Sequence, residues 1–187
     1  MNVPCLARLA AVTALLLSAA PTAFAKETML VDFAASRKDP DGTTFRPYEY
    51  TFQDWGGGKV HDDRGRGALV RAKSGKGGLG ENRTMVRFDK TPAVELAYIL
   101  GNGNRASGLS FALTDKDGTE HQWNVPFNGQ VPGREYRHRM TLAQRDQELK
   151  PGKIPGLDLK KIVTWQVRGN YQDAPVEVML RKLVAVD

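Results

Sequence analysis

Six polar side chains carry the most coherent chemistry in this 187-residue sequence: Gln122, Asn124, Arg137, Arg139, Gln166 and Arg168. Each falls on the polar register of an alternating segment. Gln122 and Asn124 alternate with His121, Trp123 and Val125, and Arg137 and Arg139 with Tyr136, His138 and Met140. Gln166 and Arg168 flank Val167 in the same way. If those segments are neighbouring strands, one sheet face carries a belt of amide and guanidinium groups. Such donors suit sugar hydroxyls, and a guanidinium can give two parallel hydrogen bonds to a carboxylate. Arg137 and Arg139 project to one side of one strand and read as the anchors for an acidic group. A plain solvated face shows the same alternation, so the six are candidates for ligand binding on type and spacing alone.

Other constellations are thin. The three histidines, His61, His121 and His138, form no H-E-x-x-H pattern, and no G-x-S-x-G elbow occurs. No catalytic residue is assigned, and the reading leans away from an enzyme. Gly75–Gly80 matches G-x-G-x-x-G and Gly101–Ala106 matches its G-x-G-x-x-A variant. A phosphate needs the free N–H groups of a following helix. Strand patterns follow both motifs, so both are expected to be turns. Asp39-Pro-Asp-Gly42, Asp62-Asp63 and Asp115-Lys-Asp-Gly118 bring acids into turns without completing a calcium loop. Asx turns account for all three. A structural calcium assembled from separate loops would leave no linear signature.

The elements that must position these groups are strands. After residue 25 no segment sustains a helical period. Short alternating runs are punctuated by Gly, Pro, Asn and Asp instead. Strands are expected over 29–34, 45–52, 67–73, 84–88, 94–100, 136–142, 162–168 and 176–184. A hairpin over 109–125 turns at Asp117-Gly118. Residues 144–150 are the one stretch expected to be able to form a short helix. About ten strands with one apolar face each predict an all-β fold, a two-sheet antiparallel sandwich. Trp123 and Trp165 share the apolar registers and should lie in its core.

The beginning of the chain reads as a signal peptide. Arg8 precedes an apolar run from Leu9 to Ala20, too short to span a bilayer, and Pro21 and Ala23-Phe-Ala25 follow with a small-x-small cleavage pattern. Removing the first 25 of 187 residues leaves 162, enough for one ordinary core. Residues 26–187 are therefore expected to form one exported domain, periplasmic or secreted, with no transmembrane segment after processing. Cys5 is the only cysteine and leaves with the signal, so disulfides and thiol chemistry are excluded from the mature chain. Of 27 Lys and Arg, 26 remain against 21 Asp and Glu. Outside a cell the polyanions such a balance meets are acidic polysaccharides rather than nucleic acid.

Several segments resemble the galactose-binding-like jelly rolls, which include non-catalytic carbohydrate-binding modules and the complex I intermediate-associated type. They are Val94–Asn104, Leu109–Thr119, Gln122-Trp123, Ile154–Ile162, Thr164-Trp-Gln-Val-Arg-Gly169 and Val176–Leu183. The resemblance implies a jelly roll, often with a structural calcium near the paired terminal strands. It also implies ligand contact on a concave sheet or at loop ends, frequently through exposed aromatics. The candidates for that role here are Trp55, Tyr98, Trp123 and Trp165, the last two on core registers. The resulting expectation is a non-catalytic carbohydrate-binding domain, with an acidic polysaccharide as one ligand class. A structural protein that binds a protein partner through the same face is the alternative, and a small polysaccharide hydrolase or lyase the third reading.

Overall fold

The computed structural model describes residues 27–35, 37–38, 44–45, 48–57, 59–62, 65–82 and 87–186. Residues 1–25, expected to be a signal peptide, and the turn expected at Asp39–Gly42 lie outside these residues, as does most of the strand expected over 84–88. The described strands are β1 (Glu27–Asp32), β2 (Arg37–Lys38), β3 (Thr44–Phe45), β4 (Tyr50–Gln53), β5 (Lys59–Asp62), β6 (Ala68–Ala72) and β7 (Gly77–Asn82). They continue with β8 (Ala93–Leu100), β9 (Gly108–Asp115), β10 (Glu120–Pro126), β11 (Glu135–Thr141), β12 (Gln147–Lys150), β13 (Ile162–Gly169) and β14 (Val176–Val186). A single turn of helix, α1 (Asp54–Gly57), joins β4 to β5. No described helix is long and apolar enough to cross a membrane.

Two six-stranded antiparallel sheets make the sandwich. The first runs β11-β8-β14-β6-β5, with β1 also paired to β14; the second runs β12-β10-β9-β13-β7-β4. Alternation fixes what lies between them. Phe111, Leu113, Trp123, Val125, Trp165 and Val167 from the second sheet face Val70, Leu96, Tyr98, Leu180 and Leu183 from the first, all buried in one cluster. Burying each such side chain contributes about 1.5–3 kcal/mol.

Asp115 closes the β9–β10 hairpin. Its Oδ1 accepts the N–H groups of Asp117 and Thr119 at 2.9 and 3.0 Å, and its Oδ2 accepts that of Asp158 at 2.9 Å. The D-x-D-G turn is thus an Asx cap, with each carboxylate oxygen taken up by backbone. Among the described residues no group of three or more His, Cys, Asp or Glu side chains stands close enough to hold a metal.

Three expectations need correction. Residues 147–150 are a strand, because Gln147 and Glu148 pair with Gln122 and His121 at the sheet edge. The run expected over 45–52 is divided between β3 and β4. Most of the Gly75–Gly80 motif is not a turn: Gly77 to Gly80 lie in β7, between β13 and β4. Gly101 and Gly103 do sit in a turn, and for a steric reason. A β-carbon on either would lie 2.4 or 2.2 Å from the Glu177 carboxylate side chain that the loop encloses.

Candidate ligand-binding face

The outer face of the second sheet is ordered in three rows. Across the middle run Gln147, Gln122, Ala112, Gln166, Gly80 and Tyr50, in register from β12 to β4. On one side of it lie Asn124, Ser110, Arg168, Gly78 and Phe52. On the other lie Lys150, Glu120, Thr114, Thr164 and Asn82. Four of the six sequence candidates, Gln122, Asn124, Gln166 and Arg168, therefore meet on one surface.

Small residues let the long polar ones lie flat. Gln166 leans over Gly80, where an added β-carbon would come within 2.8 Å of its Cγ. From there its Nε2 donates to the Tyr50 hydroxyl oxygen at 2.6 Å. Gln166 Oε1 accepts from Arg168 Nε, which fixes the amide's orientation because a guanidinium only donates. Arg168 Nη1 reaches Glu120 Oε1 at 2.7 Å, two rows away, so the arginine must pass beside Ala112. Glu120 Oε2 accepts from Thr114 Oγ1 at 3.1 Å, completing a chain of five side chains. The Phe52 ring covers Gly78 and lies 6.2 Å from that of Tyr50.

Arg168 is only 6 % exposed, so it is a strut beneath the face more than a grip upon it. Burial pushes the Glu120 carboxyl up. The hydrogen bond and charge of Arg168, with help from Thr114 and Lys150, outweigh that and hold it below its ordinary range. Burial raises the Tyr50 phenol, opposed by the Gln166 hydrogen bond and the Arg168 charge, so the phenol stays protonated at neutral pH. Its oxygen accepts from Gln166 while its own proton remains to be donated. Gln122, Gln166, Tyr50, Phe52 and Thr164 are half-buried and Asn124 is exposed, leaving amide, hydroxyl and ring surface open to a ligand.

Arg137 and Arg139 are elsewhere. Both lie on β11, at the edge of the first sheet, and face away from the shared core. The single belt foreseen from the sequence is thus divided between opposite sheets, because alternation reveals a residue's face and not its sheet. Arg137 is moreover engaged by carboxylates, with Glu95 at 3.2 Å, Glu27 at 3.5 Å and Glu135 at 3.9 Å.

The tryptophans are core residues: Trp55, Trp123 and Trp165 are 1, 3 and 2 % exposed, and Tyr98 is fully buried. The half-exposed rings of the face, Tyr50 and Phe52, escaped the sequence reading. Their alternation in Tyr-Thr-Phe-Gln was the available signal. His121 is a buried, hydrogen-bonded histidine, with Nε2 3.0 Å from Glu148 Oε2.

This architecture is a two-sheet antiparallel β-sandwich of the jelly-roll type. Among solved structures the chain is similar to a family 11 carbohydrate-binding module of the cellulosomal cellulase Lic26A-Cel5E of Clostridium thermocellum. The TM-score is 0.57 at 14 % identity, covering 86 % of this chain and 94 % of the module. It is also similar to the agarase AgWH50C, with TM-score 0.54 and 11 % identity over 85 % of this chain, which spans only 24 % of the agarase. At these identities the likeness is one of fold. No protein family and no curated protein matches the sequence.

Proposed function

We propose that the chain is an exported, non-catalytic carbohydrate-binding domain that holds a glycan across the outer face of the second sheet. The observation that carries this reading is the preorganised chain Tyr50–Gln166–Arg168–Glu120–Thr114, lying flat over glycine and alanine beside open amides. Sugar rings present alternating donors and acceptors on a flat body. A face of amides and hydroxyls fixed in advance, with two aromatic rings at its edge, meets them at little cost in side-chain ordering. The similar fold of a carbohydrate-binding module supports the same reading. Glu120 is the one carboxylate of the three rows, and Arg168 occupies it. A hydrolytic pair of carboxyl groups would need a second.

Isothermal calorimetry against a panel of oligosaccharides tests this. Gln122→Ala combined with Asn124→Ala should weaken binding about 10-fold or more, at roughly 0.5–1.5 kcal/mol per hydrogen bond. The melting temperature should hardly move, since both side chains lie on the outer face. Glycan binding that survives this change would place the ligand elsewhere. Absence of binding to every glycan would favour a protein partner on the same face.

Export belongs to the same proposal, with residues 1–25 removed as a signal. N-terminal sequencing of material recovered outside the cytoplasm should read Lys26-Glu-Thr; a start at Met1 would refute it.

A further inference from the structure

The three rows do not stop at Glu120 and Thr114. β9 ends at Asp115, which is buried, and the exposed Lys116 follows as the first residue of the hairpin turn. Lys116 N donates to Lys161 O at 2.9 Å, which sets Lys161 opposite Lys116 just before β13. Lys150 stands at the flank of the Glu120 row. The segment between Lys150 and Lys161 is clamped onto the hairpin turn. Gly152 N donates to Thr119 Oγ1 at 3.1 Å, Lys153 N to Asp117 O at 3.3 Å, and Asp158 N to Asp115 Oδ2 at 2.9 Å. Lys153 and Lys160 are carried to the same end of the face by these contacts.

Five acids stand among or beside these five lysines, and four are already committed, Glu120 to Arg168 and Asp89 to Arg87 among them. Asp115 is buried with both oxygens accepting backbone N–H groups. Asp158 is bonded to Lys161 Nζ at 3.1 Å, which holds that ammonium above its ordinary value. Asp117 is the remaining acid. Lys116, Lys150, Lys153 and Lys160 are exposed and form no ion pair with any described residue. Arg168 has already taken the nearby Glu120. Unpaired ammonium groups at the end of an otherwise neutral polar face create a local positive potential where a chain lying along the strands would run out.

We propose that the glycan held by this face is anionic, carrying carboxylate or sulfate groups, and that Lys116 and Lys150 grip those groups at the hairpin end. This rests on the glycan-binding reading and deepens it. Neutral parts of the chain lie on the amide and aromatic rows, while its charge is met by lysine rather than by Arg137 and Arg139. Ammonium groups on flexible stems act as point charges and accept either anion without the planar matching a guanidinium imposes.

Calorimetry on the full mature chain at low and at high salt decides the matter. The ligands are an oligouronate, a sulfated oligosaccharide, a neutral oligosaccharide of equal length, and inorganic polyphosphate as a sugar-free polyanion. Lys116→Gln with Lys150→Gln should weaken the uronate or the sulfated ligand roughly 3- to 10-fold at low salt, the scale of two exposed ion pairs. It should also flatten the salt dependence and weaken neutral-sugar binding by a clearly smaller factor than acidic-ligand binding. Which charged ligand responds distinguishes carboxylate from sulfate. Neutral binding as tight as acidic binding, or a double variant that binds acidic ligand normally, would overturn this inference while sparing the glycan-binding reading. Polyphosphate binding as tightly as either sugar would show bare charge attraction and overturn it as well. Failure of all glycans would sink both.

Discussion

Truncating Trp165 to alanine should lower the unfolding free energy by about 3–5 kcal/mol, the usual range for a buried tryptophan. The ring is 2 % exposed and meets Phe33 edge-on at 6.3 Å between centroids. Its Nε1 donates to Glu81 Oε2 at 2.9 Å, so the change opens a cavity and also strips a partner from a half-buried carboxylate. Trp123→Ala should behave alike. That ring lies tilted against Phe111 at 6.0 Å between centroids, and its Nε1 donates to Thr141 O at 3.0 Å and to Gln144 O, tying the turn after β11 to the core. Urea titrations of both variants give the answer. A Trp123→Ala protein as stable as the parent but unable to bind sugar would move that tryptophan from the core to the ligand face.

The second large effect is expected at Arg168. Arg168→Leu leaves the Glu120 carboxylate, with 19 % of its side chain exposed, without its cation. Breaking a largely buried pair from one side costs about 3 kcal/mol, the lower end of the usual range. The loss should depend on pH in a definite direction. In the parent, Glu120 titrates below its ordinary value of 4.5, so its contribution is complete above that value and is lost as pH falls through the lower folded one. In the variant burial is opposed only by the Thr114 hydrogen bond and the Lys150 charge, so the carboxyl titrates higher than in the parent and protonation relieves it. The gap between the two proteins should be widest near neutral pH and close as the pH drops below about 4.5. His138, lowered mainly by burial, adds an acid loss common to both, starting below its ordinary 6.5. A gap that widens on acidification would mean that Arg168 and Glu120 are not coupled as the geometry shows.

Local pattern made much of this legible. The β9–β10 hairpin, its Asp-Gly turn and the burial of Trp123 and Trp165 follow from period-two alternation. So does the outward pointing of Gln122, Asn124, Gln166 and Arg168. What pattern does not encode is which strands adjoin. β11 alternates as cleanly as β10, yet it pairs with β8 in the other sheet, and that choice separates Arg137 from Arg168. β7 was hidden for a different reason. Its sequence Gly-Gly-Leu-Gly carries little strand propensity and holds its place through β13 and β4, with Leu79 alone reaching the core. The glycines that obscured it from the sequence are what let Gln166 and Phe52 lie flat.

β14 lies at the centre of the first sheet although it comes last in the sequence. Along one edge it pairs with β8; along the other its first half pairs with β6 and its second half with β1, with a register shift between Leu180 and Lys182. Until those eleven residues have been synthesised, β1 has no strand to lie against, and β6 and β8 each lack one neighbour. The first sheet is therefore assembled by long-range closures, that of β1 on β14 running from Glu27 to Val186, which places folding among the slow, millisecond-to-second topologies. The first sheet of a chain built this way stays incomplete for as long as β14 is withheld, whatever the second sheet has already formed.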